Sequence, residues 1–293
     1  MSERLSLEGL RYAQAVAETQ SFSAAARAYG VTQPALSNGI AKLEERLGER
    51  LFERSPRGVT QTAFGSRLLP LIERALSGVD AVSAEAQRLT APADDRSIHI
   101  GVSPLISPEL VARAFEAVRE LSPPRDLVLR EANMGELRQG LLDSELDIVL
   151  IPSVEPLPRF EHRIIDSEPV VVLDSAAEEE SPMELGDVAG KQFILVPDTC
   201  GLTTFTSQLF ETQGVPWSPY PGQASSYRVL EHWADLGLGL AIIPQSKLTS
   251  ADVQYRRLVE DGQDVEIFYE AVWHPQAFLA PELAALAESI ANN

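Results

Sequence analysis

The chain has 293 residues, 44% of them hydrophobic, and its 24 basic and 43 acidic side chains give a formal net charge of −19. That length exceeds what one core usually fills, and no apolar run reaches the roughly 18 residues that a membrane helix needs, so two or more domains and no membrane span are expected. The first ten residues carry Glu3, Arg4 and Glu8 without an apolar core, so no secretory signal is expected, and the single cysteine, Cys200, excludes an internal disulfide and fits a reducing cytoplasm.

A total of −19 argues against nucleic acid, but the charge is unevenly placed. Residues 1–65 hold eight basic and seven acidic side chains, and Thr19–Leu43 contains no acid at all, whereas the rest of the chain is strongly acidic. A phosphate-binding surface needs positive charge locally, not in total.

The first 90 residues read as helices. Phe22–Tyr29 is a short helix of small residues that Gly30 ends and Val31 follows as the filler of a turn. Thr32 is placed to cap the next helix, and Pro34 stands in its first turn, where a missing N–H costs nothing. Leu36, Ile40, Leu43 and Leu47 recur at helical spacing as one buried stripe. The opposite face centres on Asn38, with Pro34, Ala41, Lys42 and Glu45 around it and Ser37 on its flank. A recognition helix offers such side chains to the major groove. Gln33 and Asn38 each suit adenine through two hydrogen bonds, a pairing worth roughly 1–3 kcal/mol of discrimination, and Lys42 suits a phosphate. Gly39 costs about 1 kcal/mol relative to alanine, and nothing in the sequence explains it.

Leu51-Phe52 then predicts a short strand. Ser55–Gly58 predicts a tight basic turn, with Arg54 and Arg57 reaching phosphate or the minor groove as a wing. Thr62 caps a further helix. The other reading of this region is a plain helical hairpin with a solvated basic loop. Ser66–Leu89 carries Leu68, Ile72, Ala75, Val79, Val82, Ala86 and Leu89, one seam on a long helix that either packs on its own domain or joins two copies. Pro70 predicts a kink near its start, and Ala91–Asp95 reads as a hinge.

From Ser97 the pattern alternates. Strands are expected at 98–102, 127–129, 147–151, 170–173, 193–196, 240–243 and 266–272. Helices are expected at 108–121, 135–142, 203–213, 226–236 and 281–290. That alternation predicts a parallel sheet covered on both faces, and about 195 residues suits two lobes. Apart from Ala176–Glu180, no low-complexity tract occurs. Ligands of such folds sit beyond the carboxyl ends of strands, near helix N-termini. The corresponding stations are Ser103-Pro104, Asn133-Met134, Pro152-Ser153, the loop 198–203 with Thr199, Cys200 and Thr203, and Ala224-Ser225. The hydroxyls of Ser103, Thr203 and Ser225 suit an oxyanion, and each equally suits a plain helix cap. Cys200, just before a helix, reads either as a small pocket-lining residue or as an oxidisable thiol. His99, His162, His232 and His274 have no metal-ligand spacing, and there is no phosphate loop, dinucleotide fingerprint or nucleophile elbow. No metal, cofactor or enzymatic activity is therefore expected.

Ser21-Phe22-Ser23-Ala24-Ala25-Ala26, Val31-Thr32-Gln33-Pro34-Ala35-Leu36-Ser37, Leu43-Glu44, Leu47-Gly48, Leu51-Phe52-Glu53-Arg54 and Thr62-Ala63-Phe64-Gly65 together resemble the N-terminal signature of LysR-type transcriptional regulators. The resemblance implies an all-α winged helix-turn-helix over 1–65, a linker and dimerisation helix over 66–90, a hinge over 91–96 and an effector-binding domain over 97–293. The last would be α/β, with two lobes like those of periplasmic binding proteins, one of about 97–165 and 270–293 and the other of about 166–269. It further implies a cytoplasmic homodimer or dimer of dimers that binds double-stranded promoter DNA, works with RNA polymerase and answers to a small-molecule effector. Base contacts fall to Gln33, Pro34 and Ser37, and wing contacts to Arg54. The chain departs from the pattern at Asn38, where arginine is common, and at Tyr29 and Gln61, where leucine is usual.

Overall fold

The computed structural model describes residues 5–55, 58–90, 97–155, 157, 159–175, 181–197, 199–249 and 253–292. It forms two compact units, one of residues up to Asp95 with Gln276–Phe278, the other of Arg96–Pro275 with Leu279–Asn293.

The first unit runs α1 (Leu7–Thr19), α2 (Phe22–Ala28), α3 (Gln33–Leu47), β1 (Phe52–Ser55), β2 (Gly58–Gln61) and α4 (Ala63–Thr90). Ser6, Ser21 and Thr32 cap the first three helices by accepting from Gly9 N, Ala24 N and Ala35 N, which satisfies N–H groups that a helix start leaves orphaned. Gly48 ends α3 in the left-handed conformation that glycine adopts without penalty. The expected stripe is buried. Leu36, Ile40 and Leu43 join Tyr12, Val16, Phe22, Leu51 and Phe52 in one core, with Leu47 packed at its edge.

Gly39 has an explanation here that the sequence lacks. A Cβ at this position would lie 2.6 and 2.8 Å from two ring carbons of Tyr12, which is itself buried between α1 and α3. Glycine is what lets the ring lie against the helix. Gly39→Ala is expected to destabilise the unit by about 1 kcal/mol in urea unfolding, as overpacking outweighs the gain in helix propensity. A stabilised variant would refute this account.

β1 and β2 pair antiparallel from Phe52↔Gln61 to Ser55↔Gly58, so the basic segment is a β-hairpin and not a helical one. Its tip, Pro56 and Arg57, lies outside the described residues, as do 91–96 of the expected hinge and Ala176–Glu180. The seam on α4 divides. Leu69, Ile72 and Leu76, not Ala75, enter the core of their own unit, while Val79 and Val82 are 37% and 70% exposed.

The second unit contains β3 (Ser97–Val102), α5 (Pro108–Arg119), β4 (Asp126–Glu131), α6 (Met134–Leu142), β5 (Ile148–Pro152), β6 (Glu161–Leu173), β7 (Met183–Glu184), β8 (Gln192–Leu195), α7 (Leu202–Gln213), β9 (Ser218–Gln223), α8 (Tyr227–Asp235), β10 (Ala241–Pro244), β11 (Tyr255–Glu260), β12 (Gln263–Asp264), β13 (Glu266–Trp273) and α9 (Ala280–Asn292). The main sheet has the order β12-β11-β6-β13-β5-β3-β4, with β10 also on β6 and β7 on β11; β8 and β9 form a separate pair. The expectation of a wholly parallel sheet is corrected. β3 pairs parallel with β4 and β5, but β13 runs antiparallel to both β5 and β6. The reason is that β13 is a late return strand that enters the sheet between β5 and β6 and runs against both. Alternation of apolar segments with helices reports burial on two faces, not strand direction. β9 escapes sequence reading because it holds Pro219 and Pro221. A strand paired on one side only tolerates such residues, and among the described residues β9 pairs with β8 alone.

Candidate nucleic-acid interface and ligand cleft

In the first unit the burial of Leu36, Ile40 and Leu43 fixes what α3 presents. Thr32, Gln33, Pro34, Asn38 and Lys42 are exposed and Ser37 is half-buried. Thr32 is also the cap of the helix, so its hydroxyl is held against Ala35 N at 3.4 Å. Arg54 stands on β1 opposite Val59 in the hairpin.

Glu44 and Gly65, which sequence reasoning passed over, and the predicted cap Thr62 hold the hairpin to the helices on either side of it. Glu44 Oε1 accepts from Leu51 N at 2.7 Å and Phe52 N at 3.2 Å, tying the last turns of α3 to the start of β1. Thr62 N donates to Leu51 O at 2.9 Å, and Thr62 Oγ1 accepts from Gly65 N at 2.8 Å. Gly65 packs so closely that a Cβ would lie 2.1 Å from Leu51 O. Glu44 and Gly65 stand inside the quoted signature, which is the only signal that marks them, whereas Thr62 accepts from Gly65 N as the helix cap that the sequence predicts. On the other side of α3, Tyr12 donates its hydroxyl to Glu8 at 2.5 Å, and burial, with Glu8 adding, pushes the phenol up to about 12. Tyr29, one of the departures from the family pattern, meets Tyr12 edge to face at 5.9 Å between centroids.

In the second unit the stations after β3, β4 and β5 converge on one loop. Ser103 Oγ donates to Cys200 O at 3.1 Å, Met134 N donates to Thr199 O at 2.8 Å, and Pro152 is so close to Gly201 that an added Cβ there would lie 2.8 Å from its ring. Ala224 N, from the second set of stations, bonds Leu195 O at 2.9 Å. Two of the hydroxyls expected as donors have partners within the chain. Ser103 is buried, and its one proton goes to Cys200 O while its oxygen accepts from Leu105 N at 3.2 Å. Thr203 Oγ1 donates to Val196 O at 2.6 Å. Both protons go to backbone carbonyls, because a carbonyl withdrawn from water needs a partner. Asn133 caps α6 by accepting from Glu136 N at 2.9 Å. Ser153 donates to Glu270 at 3.2 Å; that buried carboxylate also meets His162 Nδ1 at 3.1 Å and holds its imidazole above the usual range. Pro104 is half-buried, and Ser225 is exposed beside Ser226, the cap of α8.

The polar groups that gather near Cys200 are others. Tyr227 donates to Cys200 Sγ at 3.3 Å. Tyr269 donates to Glu168 at 2.6 Å, and Glu168 also accepts from Ser246 N and Ser246 Oγ at 2.7 and 2.8 Å. The neighbouring Lys247 Nζ donates to Ile106 O at 2.7 Å. Burial pushes both phenols up, with Cys200 adding at Tyr227 and Glu168 at Tyr269. Burial pulls the Lys247 ammonium down, against the opposing fields of Glu168 and Glu131. Sequence could have found Lys247. It follows the carboxyl end of β10, the kind of station that picked out Ser103 and Pro152.

Known proteins share this domain organisation. Residues 7–66 match the model of the bacterial regulatory helix-turn-helix protein, lysR family, and residues 93–293 match that of the LysR substrate binding domain. The HTH-type transcriptional regulator IlvR of Caulobacter vibrioides is 30% identical over 273 residues, 87% of this chain and 88% of that protein. The DNA-binding transcriptional dual regulator OxyR of Escherichia coli is 26% identical over 251 residues, 82% of this chain and 79% of that one. Among solved structures, an OxyR mutant of Corynebacterium glutamicum superposes with a TM-score of 0.58 at 21% identity, over 99% of this chain and 92% of that one.

Proposed function

The chain belongs to the LysR family of bacterial transcriptional regulators, DNA-binding proteins with a C-terminal effector-binding domain, and on that premise we propose which residues do each part of the work. Gln33, Pro34, Ser37 and Asn38 meet base edges in the major groove. Thr32 and Lys42 hold phosphates, and Arg54 and Arg57 of the wing reach the backbone or the minor groove. One observation carries this reading: Leu36, Ile40 and Leu43 are all buried, which turns Gln33, Pro34, Asn38 and Lys42 outward together. Val79 and Val82, exposed on the far half of α4, support pairing of two copies, so that two recognition helices address two half-sites.

The effector sits where the loop 199–201 meets the ends of β3, β4 and β5. An anionic group suits this place. Lys247 brings a cation to the neighbourhood of Cys200, and α7 begins at Gly201 without a side-chain cap, leaving N–H groups that favour negative charge. With one cysteine in the chain, Cys200 serves as a wall of this cleft under Tyr227, not as half of an internal disulfide. Effector binding closes the two lobes and changes how paired copies set their recognition helices in front of RNA polymerase, in a reducing cytoplasm. Such a shift requires the effector to bind one arrangement better than the other.

The test is the salt dependence of duplex binding. Affinity should fall steeply with salt. Lys42→Ala should reduce the slope of log affinity against log salt by about one. Asn38→Arg should raise it by about one, since it restores a cation on the exposed face. Affinity that is flat in salt, or slopes that neither variant moves, would overturn the assignment.

A further inference from the structure

We propose that Ser23 is a specificity residue that acts through Gln33. It stands second in α2, where Ser21 already caps the helix, so its hydroxyl has no capping duty. The neighbours Ala24, Ala25 and Ala26 are the best helix formers there are, and serine is a poorer one. What the hydroxyl does is cross from α2 to the first residue of α3. Ser23 Oγ donates to Gln33 Oε1 at 3.1 Å. Both residues are exposed, so the bond shields nothing from water and adds little to folding.

Its effect is on the amide. A glutamine side chain at a helix start has several rotatable bonds, and its amide has two ends of opposite character. A base edge distinguishes them, because adenine presents an acceptor and a donor side by side. With Ser23 donating to Oε1, the oxygen is held toward α2 and the Nε2 donor is turned to the other side, while the second lone pair of Oε1 stays available. Gln33 is thereby set in one orientation before it meets DNA. Ordering a flexible side chain at an interface weakens binding by an amount equivalent to roughly 2- to 10-fold, and a preset side chain avoids that loss. Ser23 touches no base in this scheme. It sharpens the choice that Gln33 makes and leaves the phosphate contacts alone.

This inference rests on the reading that Gln33 contacts a base, and the experiment separates the two. The full-length protein, Gln33→Ala, Ser23→Ala and Ser23→Thr are each used to select duplexes from a randomised pool, and the base preferences are compared column by column. Salt slopes are measured on the winning sequence. We expect Gln33→Ala to lose preference in one column and its symmetry mate. Ser23→Ala should lose about 2- to 10-fold of discrimination in those same columns with an unchanged salt slope. Ser23→Thr should restore it, because the hydroxyl is kept and the exposed site has room for a methyl group. Ser23→Ala on a Gln33→Ala background should change nothing further. If Gln33→Ala leaves every column intact, Gln33 is not a base contact and both ideas fall. If Gln33→Ala alters a column that Ser23→Ala does not, the role of Ser23 is overturned and that of Gln33 stands. If Ser23→Ala weakens all sequences equally with a shallower salt slope, Ser23 is a phosphate contact and the inference is wrong.

Discussion

Gly65→Ala should destabilise the first unit by about 3 kcal/mol and abolish duplex binding, although alanine is the better helix former by about 1 kcal/mol. The added methyl would lie 2.1 Å from Leu51 O, 3.0 Å from its carbonyl carbon and 3.2 Å from its Cα. All three are backbone atoms, so no side chain can rotate out of the way. Leu51 is fully buried, and its carbonyl is the acceptor for Thr62 N at 2.9 Å, the bond that sets the start of α4 against the start of the hairpin. The helix must therefore move off the hairpin, and Leu69, Ile72 and Leu76 lose their fit in the core. Urea unfolding of the full chain checks this. The transition of the first unit should move to lower urea while that of the second stays in place, and duplex binding should vanish with the first. Thr62→Ala, which removes only a cap, should cost about 1 kcal/mol. A Gly65→Ala protein within that smaller range would show that α4 does not approach Leu51 so closely.

Glu44→Ala should weaken the first unit by about 2 kcal/mol and lower DNA affinity, against the sign of its charge. The carboxylate accepts from Leu51 N and Phe52 N, and both residues are buried. Truncation leaves these donors without their acceptor, which costs about 1–3 kcal/mol per group. The hairpin that carries Arg54 is then no longer anchored to the recognition helix. Simple electrostatics predicts the reverse, since removal of a negative charge from a DNA-binding unit should strengthen binding. Glu44→Gln keeps an acceptor oxygen and loses the charge, so it should retain most of the stability. Amide exchange at Leu51 and Phe52, read with the affinity for a single duplex, decides the matter. Faster exchange together with weaker binding in Glu44→Ala supports the tether. Tighter binding with unchanged exchange would show that Glu44 acts only by its charge.

Much of the recognition unit was legible in the residues themselves. Leu36, Ile40 and Leu43 repeat at the helical period, Thr32 and Pro34 mark the start of α3, and Gly48 marks its end. From these alone follow both the buried stripe and the outward set of Gln33, Pro34, Asn38 and Lys42. In the second unit the apolar strands and the helices between them were legible, and so were the stations that meet at residues 199–201.

What only the tertiary structure decided has one physical cause. Period, caps and turn residues report interactions that span a few positions. Gly39 depends on a ring at Tyr12, Gly65 on a carbonyl at Leu51, and Lys247 on a carbonyl at Ile106. The hydroxyls of Ser103 and Thr203 looked free for a ligand because their backbone acceptors were invisible. The first of these, Cys200 O, is brought to Ser103 by the loop 199–201, which lies against the residues that end β4 and β5. Strand direction was hidden for the same reason. The chain fixes which segments are apolar enough to be buried, but register and direction are set by which segments meet, and β6 and β13 meet across a separation of about a hundred residues that no local pattern encodes.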